Sequence, residues 1–240
     1  MVTGAGMGQI LGVADWRSFA LTANSAFLLA FPSLFSIINP IGGALIFYGF
    51  TKRFTSSDRV KVAALVGFYS LLIMFGALWA GTIILSFFGV SIDALRIAGG
   101  TVIVFSGFQL LTSNEPHPDQ KSHERARADV DGGDPMQLAF FPLTLPFTTG
   151  PGTIAVAITI GAERPSSGGL VAFFLGASLA AVLNSAIIWI GYRFADRLTG
   201  LIGPTAQQVI VRLTAFLLMC IGVQILVTAI GDLVVGWRAA

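Results

Sequence analysis

Charge is scarce in this sequence. Asp, Glu, Lys and Arg make up only 11% of its 240 residues, where a soluble domain carries about 25%. So few charges cannot solvate a globular surface, so the chain is not a soluble domain but a polytopic membrane protein. Cysteine is nearly absent. Cys220 alone excludes an intramolecular disulfide, and within an apolar run it reads as a small buried hydrophobe. His117 and His123 both fall in one hydrophilic stretch. They lack the further converging ligands a metal needs, so no metal site and no cofactor are expected. Met1 to Ala14 carries no positive charge, which argues against a cleaved signal. The net charge of +2 comes from basic residues scattered at the ends of apolar runs. That is a topology signal and not a nucleic-acid surface.

The apolar runs themselves contain almost no ionisable residue. Asp93, Arg96, Asp196, Arg212 and Asp232 sit at run ends. This argues against a buried carboxylate relay or a strong cation site, and for a ligand of no net charge. Ser106, Ser178 and Ser185 have no His or Lys beside them within the runs. An intramembrane hydrolase is therefore not expected, and the chain does not read as an enzyme. Charged rings and a repeated filter loop, the marks of a channel, are also missing.

What is present is a set of long apolar runs, two of them broken. Phe19 to Phe50 would be ~48 Å long as one helix at 1.5 Å per residue, against a hydrocarbon core of ~30 Å. Pro32 and Asn39-Pro40 cut it, predicting a helix to about Ile38 and a half-helix from Ile41 to about Phe50. Thr51 to Lys61 reads as a polar loop, Val62 to Phe88 as a second span and Ala94 to Leu111 as a third. Gln137 to Gly161 is a fourth run, cut by Pro142, Pro146 and Gly150-Pro151-Gly152. Leu170 to Tyr192 and Val209 to Ile230 complete six, joined by a polar connection from Arg193 to Gln208. Met1 to Ala14 reads as a loose terminus or short interfacial piece.

The halves echo each other. Arg96-Ile97 and Arg212-Leu213 open the third and sixth spans. Gly107-Phe108-Gln109-Leu110-Leu111 parallels Gly222-Val223-Gln224-Ile225-Leu226, and Phe31-Pro32 parallels Phe141-Pro142. Three spans per half, an odd number, invert the second half relative to the first. The expected fold is an all-α membrane protein of six transmembrane helices in a 3+3 inverted repeat, with the first and fourth helices discontinuous. Residues 1–112 form one repeat, 113–136 a hydrophilic loop and 137–240 the other repeat. One side takes Lys52, Arg53, Arg59, Lys61, Lys121, Arg125, Arg127, Arg193, Arg197 and Arg212. The other takes Arg17, Arg96, Arg164 and Arg238. The richer side is expected to be cytoplasmic, with both termini periplasmic. Re-entrant hairpins at the breaks would divide the charges equally well and place the termini inside.

Paired breaks in corresponding places of two halves point to a transporter binding site, because backbone freed by proline survives in a membrane only beside protein or a polar cavity. The half-helices open with Pro40, Ile41, Gly42, Gly43 and with Gly150, Pro151, Gly152, Thr153. Their N–H groups and positive dipole ends suit a carboxylate. The carbonyls before the breaks, the Asn39 amide and the Thr148, Thr149 and Thr153 hydroxyls suit an ammonium. Together they suggest a small zwitterionic amino acid bound chiefly by backbone dipoles. These groups would equally serve to satisfy the broken backbone itself. Asn184, Gln109 and Gln224 read as interhelical hydrogen-bonding groups, and Gly99, Gly100 and Gly107 as close helix contacts.

Asn39-Pro40-Ile41, Gly89 to Gly100, Pro142-Leu143-Thr144-Leu145-Pro146, Thr149 to Ala155 and Gly222-Val223-Gln224, taken in order, resemble the MarC family over roughly residues 27–231. The resemblance implies a bacterial or archaeal inner-membrane protein of six spans lying in the lipid bilayer. Some relatives, of the SnatA type, transport small neutral amino acids such as glycine and alanine, which implies that substrate class and leaves protons possible as the coupling ion. Some relatives carry Asp where this chain has Asn39, so a carboxylate-based ion site is not expected here. Export of another small polar solute or drug, and a structural role without transport, remain the alternatives.

Overall fold

The computed structural model describes residues 5–112, 135–165, 169–201 and 204–239. The described chain is all-α. Helix α1, Ala5–Ile38, already begins in the glycine-rich start that reads as loose, and it tolerates Pro32 inside it. It ends because Asn39 takes the left-handed conformation, φ 47° and ψ 68°. Helix α2, Pro40–Thr51, follows at once; proline at the first helical position has its φ already set and no donor to lose. The Asn39 N–H donates to Phe35 O at 3.0 Å, and the Gly43 N–H donates to Asn39 O at 2.9 Å. Hydrogen bonding thus passes through the kink.

Helix α3 spans Ser56–Phe87. Residues 56–61 are therefore helix and not loop. The Thr55 hydroxyl accepts the Asp58 N–H at 3.2 Å, and Asp58 in the first turn complements the helix dipole. A turn at 88–91, with Gly89 at φ 66°, leads into α4, Ile92–Thr112. The hydrophilic stretch with Lys121, Arg125, Arg127, His117 and His123 lies outside the described residues.

After one helical turn, Pro135–Leu138, the segment Ala139–Thr148 winds irregularly, with Phe141 and Leu145 non-helical. Pro142 and Pro146 supply no donors. Side chains compensate. The Thr144 and Thr148 hydroxyls donate to Ala139 O and Leu143 O, each at 2.6 Å, and the Thr149 N–H donates to Thr144 O at 2.9 Å. Helix α5, Pro151–Ala162, leaves this coil at a bend of 68°. Helix α6, Leu170–Arg193, is followed by the short α7, Ala195–Leu201, and by α8, Pro204–Ala239. The expected polar connection at 193–208 is therefore largely helical.

By length and composition, four segments can cross a membrane: Trp16–Thr51, Ser56–Phe87, Leu170–Arg193 and Ala215–Val234. The bent pair Met136–Thr148 and Pro151–Ala162 makes a fifth if it counts as one span.

Small residues set the helix packing, as lipid-embedded helices require. Gly176 of α6 lies directly on the carbonyl of Ala23 in α1, and Gly161 of α5 on the carbonyl of Leu78 in α3. Helices α4 and α8 run antiparallel. A Cβ on Gly100 would meet Gly222 O at 3.1 Å, and one on Gly107 would meet Ala215 O at 2.9 Å. Gly99 is equally tight: a Cβ there would meet the Ala155 methyl of α5 at 2.5 Å. The close contacts expected of these three glycines are present. Helix α8 buries Ala215, Gly222 and Ala229 at seven-residue spacing, and Cys220 falls on its outer face. Cys220 is exposed, not buried, because α8 packs chiefly against α4 alone. Gln224 also faces outward. Its amide donates to Thr228 of its own helix at 3.3 Å, in place of the expected interhelical bond. The Gln109 side chain lies outside the described residues. Asn184 does bond between helices, donating to Phe31 O at 3.3 Å and to Ala180 O of its own helix at 2.9 Å. Its Oδ1 is buried without a partner among the described residues.

Candidate functional site

The first break closes on itself. Asn39 Oδ1 accepts the Gly42 N–H at 3.2 Å, so the amide oxygen expected to face an ammonium caps its own helix instead. A side chain on Gly42 would collide with the Asn39 amide. One residue further on, Gly43 lies against the hydroxyl of Tyr192 with no room for a methyl group. Pro40 is buried. Ile41 is 49% exposed and lines an apolar groove of about 210 Å³ with Phe35, Ala44, Ile187, Ile190 and Leu198. That groove offers a zwitterion no polar partner.

The second break is built from hydroxyls. Thr148, Thr149 and Thr153 are all buried. The Thr148 hydroxyl donates to Leu143 O. Its oxygen therefore accepts the Tyr192 O–H, at 2.8 Å. The Thr149 hydroxyl donates to Ser70 Oγ of α3 at 3.0 Å. Gly150 is extended and caps α5 without any side-chain hydrogen bond. A Cβ there would meet Pro146 O at 2.7 Å, and one on Gly152 would meet Ile103 Cγ1 of α4 at 2.6 Å, with Ile37 Cγ2 at 3.9 Å.

The two breaks meet. Tyr192 touches Gly43 on one side and Thr148 on the other, and its ring stacks on Phe47 with centroids 4.7 Å apart. Gly152 reaches the neighbourhood of Ile37, two residues before Asn39. Of the residues singled out from sequence, Gly43 and Thr148 converge on Tyr192, Gly152 packs on Ile103, Asn39 and Gly42 form a local cap, and Ile41 turns outward. The ends differ. The α2 N-terminus is capped by Asn39, whereas α5 has no side-chain cap.

Tyr192, Ser70 and Ser185 are not legible as site residues. Ser185 donates to Gly67 O at 2.7 Å and holds α6 on α3 beside the breaks. Tyr192, just before Arg193, has the sequence signature of an interfacial aromatic. Its partners are set by tertiary packing. Thr148→Val keeps the shape but leaves the buried Tyr192 hydroxyl unpaired, which costs about 1–3 kcal/mol. The expected result is a clear fall in the melting temperature of purified protein. An unchanged melting temperature would show that the bond contributes nothing.

Residues 24–234 match the family described as MarC family integral membrane protein. A curated inner membrane protein MarC from Citrobacter koseri is 32% identical over 212 residues, covering 84% of this chain and 92% of the relative. Those from Escherichia coli O1:K1 and from strain K12 / DH10B are each 30% identical over 203 residues, with the same coverage. No solved structure matches.

Proposed function

The chain belongs to the MarC family of integral membrane proteins, and from that premise we propose that it is a secondary transporter of small neutral amino acids of the glycine and alanine class, working across the inner membrane by alternating access. The observation that carries the reading is the meeting of two proline-glycine breaks around Tyr192. Broken helices at such a meeting point expose backbone dipoles to a ligand. The uncapped α5 end suits the carboxylate. An ammonium would be taken by the Thr148 and Thr149 hydroxyls on exchanging their present partners, Leu143 O, Tyr192 and Ser70, for the ligand. The lack of ionisable groups within the runs suits a ligand without net charge.

The proposed frame is six crossings in a 3+3 inverted repeat. Its support is reciprocal packing between α4 and α8. Gly107 faces Ala215 O and Met219 N, while Gly222 faces Gly100 O and Val104 N. The offset taking Gly107 to Gly222 (222 − 107 = 115) also takes Gly100 to Ala215 and Val104 to Met219. Exchanging the halves thus reproduces the same contacts. A full crossing of the bent pair is part of this frame, supported by the combined length and apolar composition of its two segments. Its far end is placed by Glu163 beside Arg96, whereas the coil before the break begins and ends beside adjacent residues of α3, Phe140 on Tyr69 and Thr149 on Ser70. The proposed orientation puts the face with Lys52, Arg53 and Arg59 and the 113–136 loop in the cytoplasm, and the termini in the periplasm.

The test is uptake of labelled glycine and alanine into proteoliposomes, with and without a proton gradient. Saturable uptake is expected, and stimulation by the gradient would identify protons as the coupling ion. Absence of saturable uptake of either amino acid discards the substrate class.

A further inference from the structure

Two arginines at opposite ends of the molecule hold the outer ends of the two half-helices. Helices α2 and α5 are each 12 residues long with proline first. The inner end of each lies at the breaks. The outer end of α2 is held by Arg59 of α3, which is buried. Its Nε donates to Thr51 O and its Nη2 to Phe54 O, each at 3.3 Å. Its Nη1 pairs with Asp196 of α7, and the guanidinium lies 5.5 Å from the centre of the Tyr48 ring. The outer end of α5 is held by Arg96 of α4. Its Nη2 pairs with Glu163, the residue that ends α5, at 3.3 Å. Its Nη1 pairs with Asp232 of α8 at 3.1 Å and lies 3.7 Å from Asp93. A cation at a helix C-terminus also meets the negative end of the dipole. Arg59 lies near the start of α3, and Arg96 just beyond its far end. At 1.5 Å per residue along α3 the two clusters are roughly 40 Å apart.

We propose that Arg59 with Asp196, and Arg96 with Glu163 and Asp232, are two latches that close the path from opposite faces, and that each opens by releasing the outer end of one half-helix. The inference rests on the transport reading for its purpose. Three observations carry it. Each arginine bridges a half-helix to a neighbouring element, α7 in one case and α8 in the other. Both latches are closed at once, with the polar groups between them buried. Their carboxylates are partly exposed, 43% for Asp196, 42% for Glu163 and 55% for Asp232. Pairs open to solvent on one side are weak enough to break and reform. A 12-residue helix is a short rod, so a shift at its outer end is transmitted to the break.

The test reads accessibility and needs no substrate. In a Cys220→Ser background, Thr149→Cys reports on the buried region in right-side-out and inside-out vesicles treated with a charged, membrane-impermeant maleimide. Glu163→Gln with Asp232→Asn should raise labelling at least fivefold from the Arg96 face only. Asp196→Asn should do so from the Arg59 face only. Labelling unchanged in both, or raised from the same face in both, overturns the proposal. If the acid variants fold poorly, Glu163→Cys with Asp232→Cys, joined by a short bifunctional thiosulfonate, supplies a second reading. Loss of uptake that reductant restores supports the latch, and unimpaired uptake in the joined protein overturns it. Sided labelling without glycine or alanine uptake would sink the substrate class and leave the latches standing.

Discussion

Gly176→Val yields no folded protein in the membrane fraction: this is the largest expected effect. A Cβ at position 176 would lie on the Ala23 carbonyl oxygen, with the carbonyl carbon at 2.8 Å and Ala23 Cα at 3.1 Å. All three are backbone atoms of α1, so no rotamer change relieves the contact. Helices α1 and α6 must separate, and along this seam Ala26, Ala30, Ala177, Ala180 and Ala181 are all buried. Separation also breaks the bond from Asn184 to Phe31 O. Overpacking alone costs about 1–3 kcal/mol, and the loss of a small-residue seam adds the contacts that hold lipid-embedded helices together. Gly76→Val is the control, since nothing lies within 4 Å of a Cβ there. Size-exclusion profiles of the solubilised proteins should show a single sharp peak for Gly76→Val and aggregate for Gly176→Val. A sharp peak for both would mean the α1–α6 approach is looser than described.

The second large effect is functional. Gly43→Ala should cut glycine and alanine uptake at least tenfold while leaving the protein folded. The new methyl would run into the Tyr192 hydroxyl, whereas the ring carbons behind it lie at 3.2 and 3.3 Å. Only the hydroxyl is seriously too close. To relieve the contact, α2 and the Tyr192 ring must move apart, which shifts the two breaks relative to each other. Tyr192→Phe removes the obstructing atom, so the double variant Gly43→Ala/Tyr192→Phe should recover a substantial part of the uptake. Recovery would be hard to explain by general damage. Uptake equal to wild type in Gly43→Ala would show that the Gly43–Tyr192 contact does not matter for transport.

The membrane class and the positions of the breaks were legible because both depend on local chemistry. Too little charge cannot coat a soluble domain, and proline cannot continue a helix without losing a donor. The tight approaches of Gly99, Gly100 and Gly107 were legible for the same reason. The start of α3 was not, because Asp58, Arg59 and Lys61 look like a loop when charge alone is weighed. The Thr55–Asp58 cap was the available signal. Cys220 was misplaced because a lipid-facing surface is as apolar as an interior, so hydrophobicity does not distinguish inside from outside in a membrane. Tyr192 was out of reach altogether. It joins Gly43 and Thr148, which are far apart in sequence, and no spacing pattern encodes that.

Asn39 has a consequence for how this position can vary. At φ 47° and ψ 68° a branched or bulky side chain is strained, whereas glycine, asparagine and aspartate are tolerated. The backbone therefore restricts the tolerated residues here to an uncharged amide, a carboxylate or no side chain at all. An Asp here would keep the same kink and the same acceptor for the Gly42 N–H, and would add a titratable proton beside the meeting point of the two breaks. Position 39 is thus a place where one substitution can switch charge on without rebuilding the helix. Asn39→Asp is the corresponding single change in this chain.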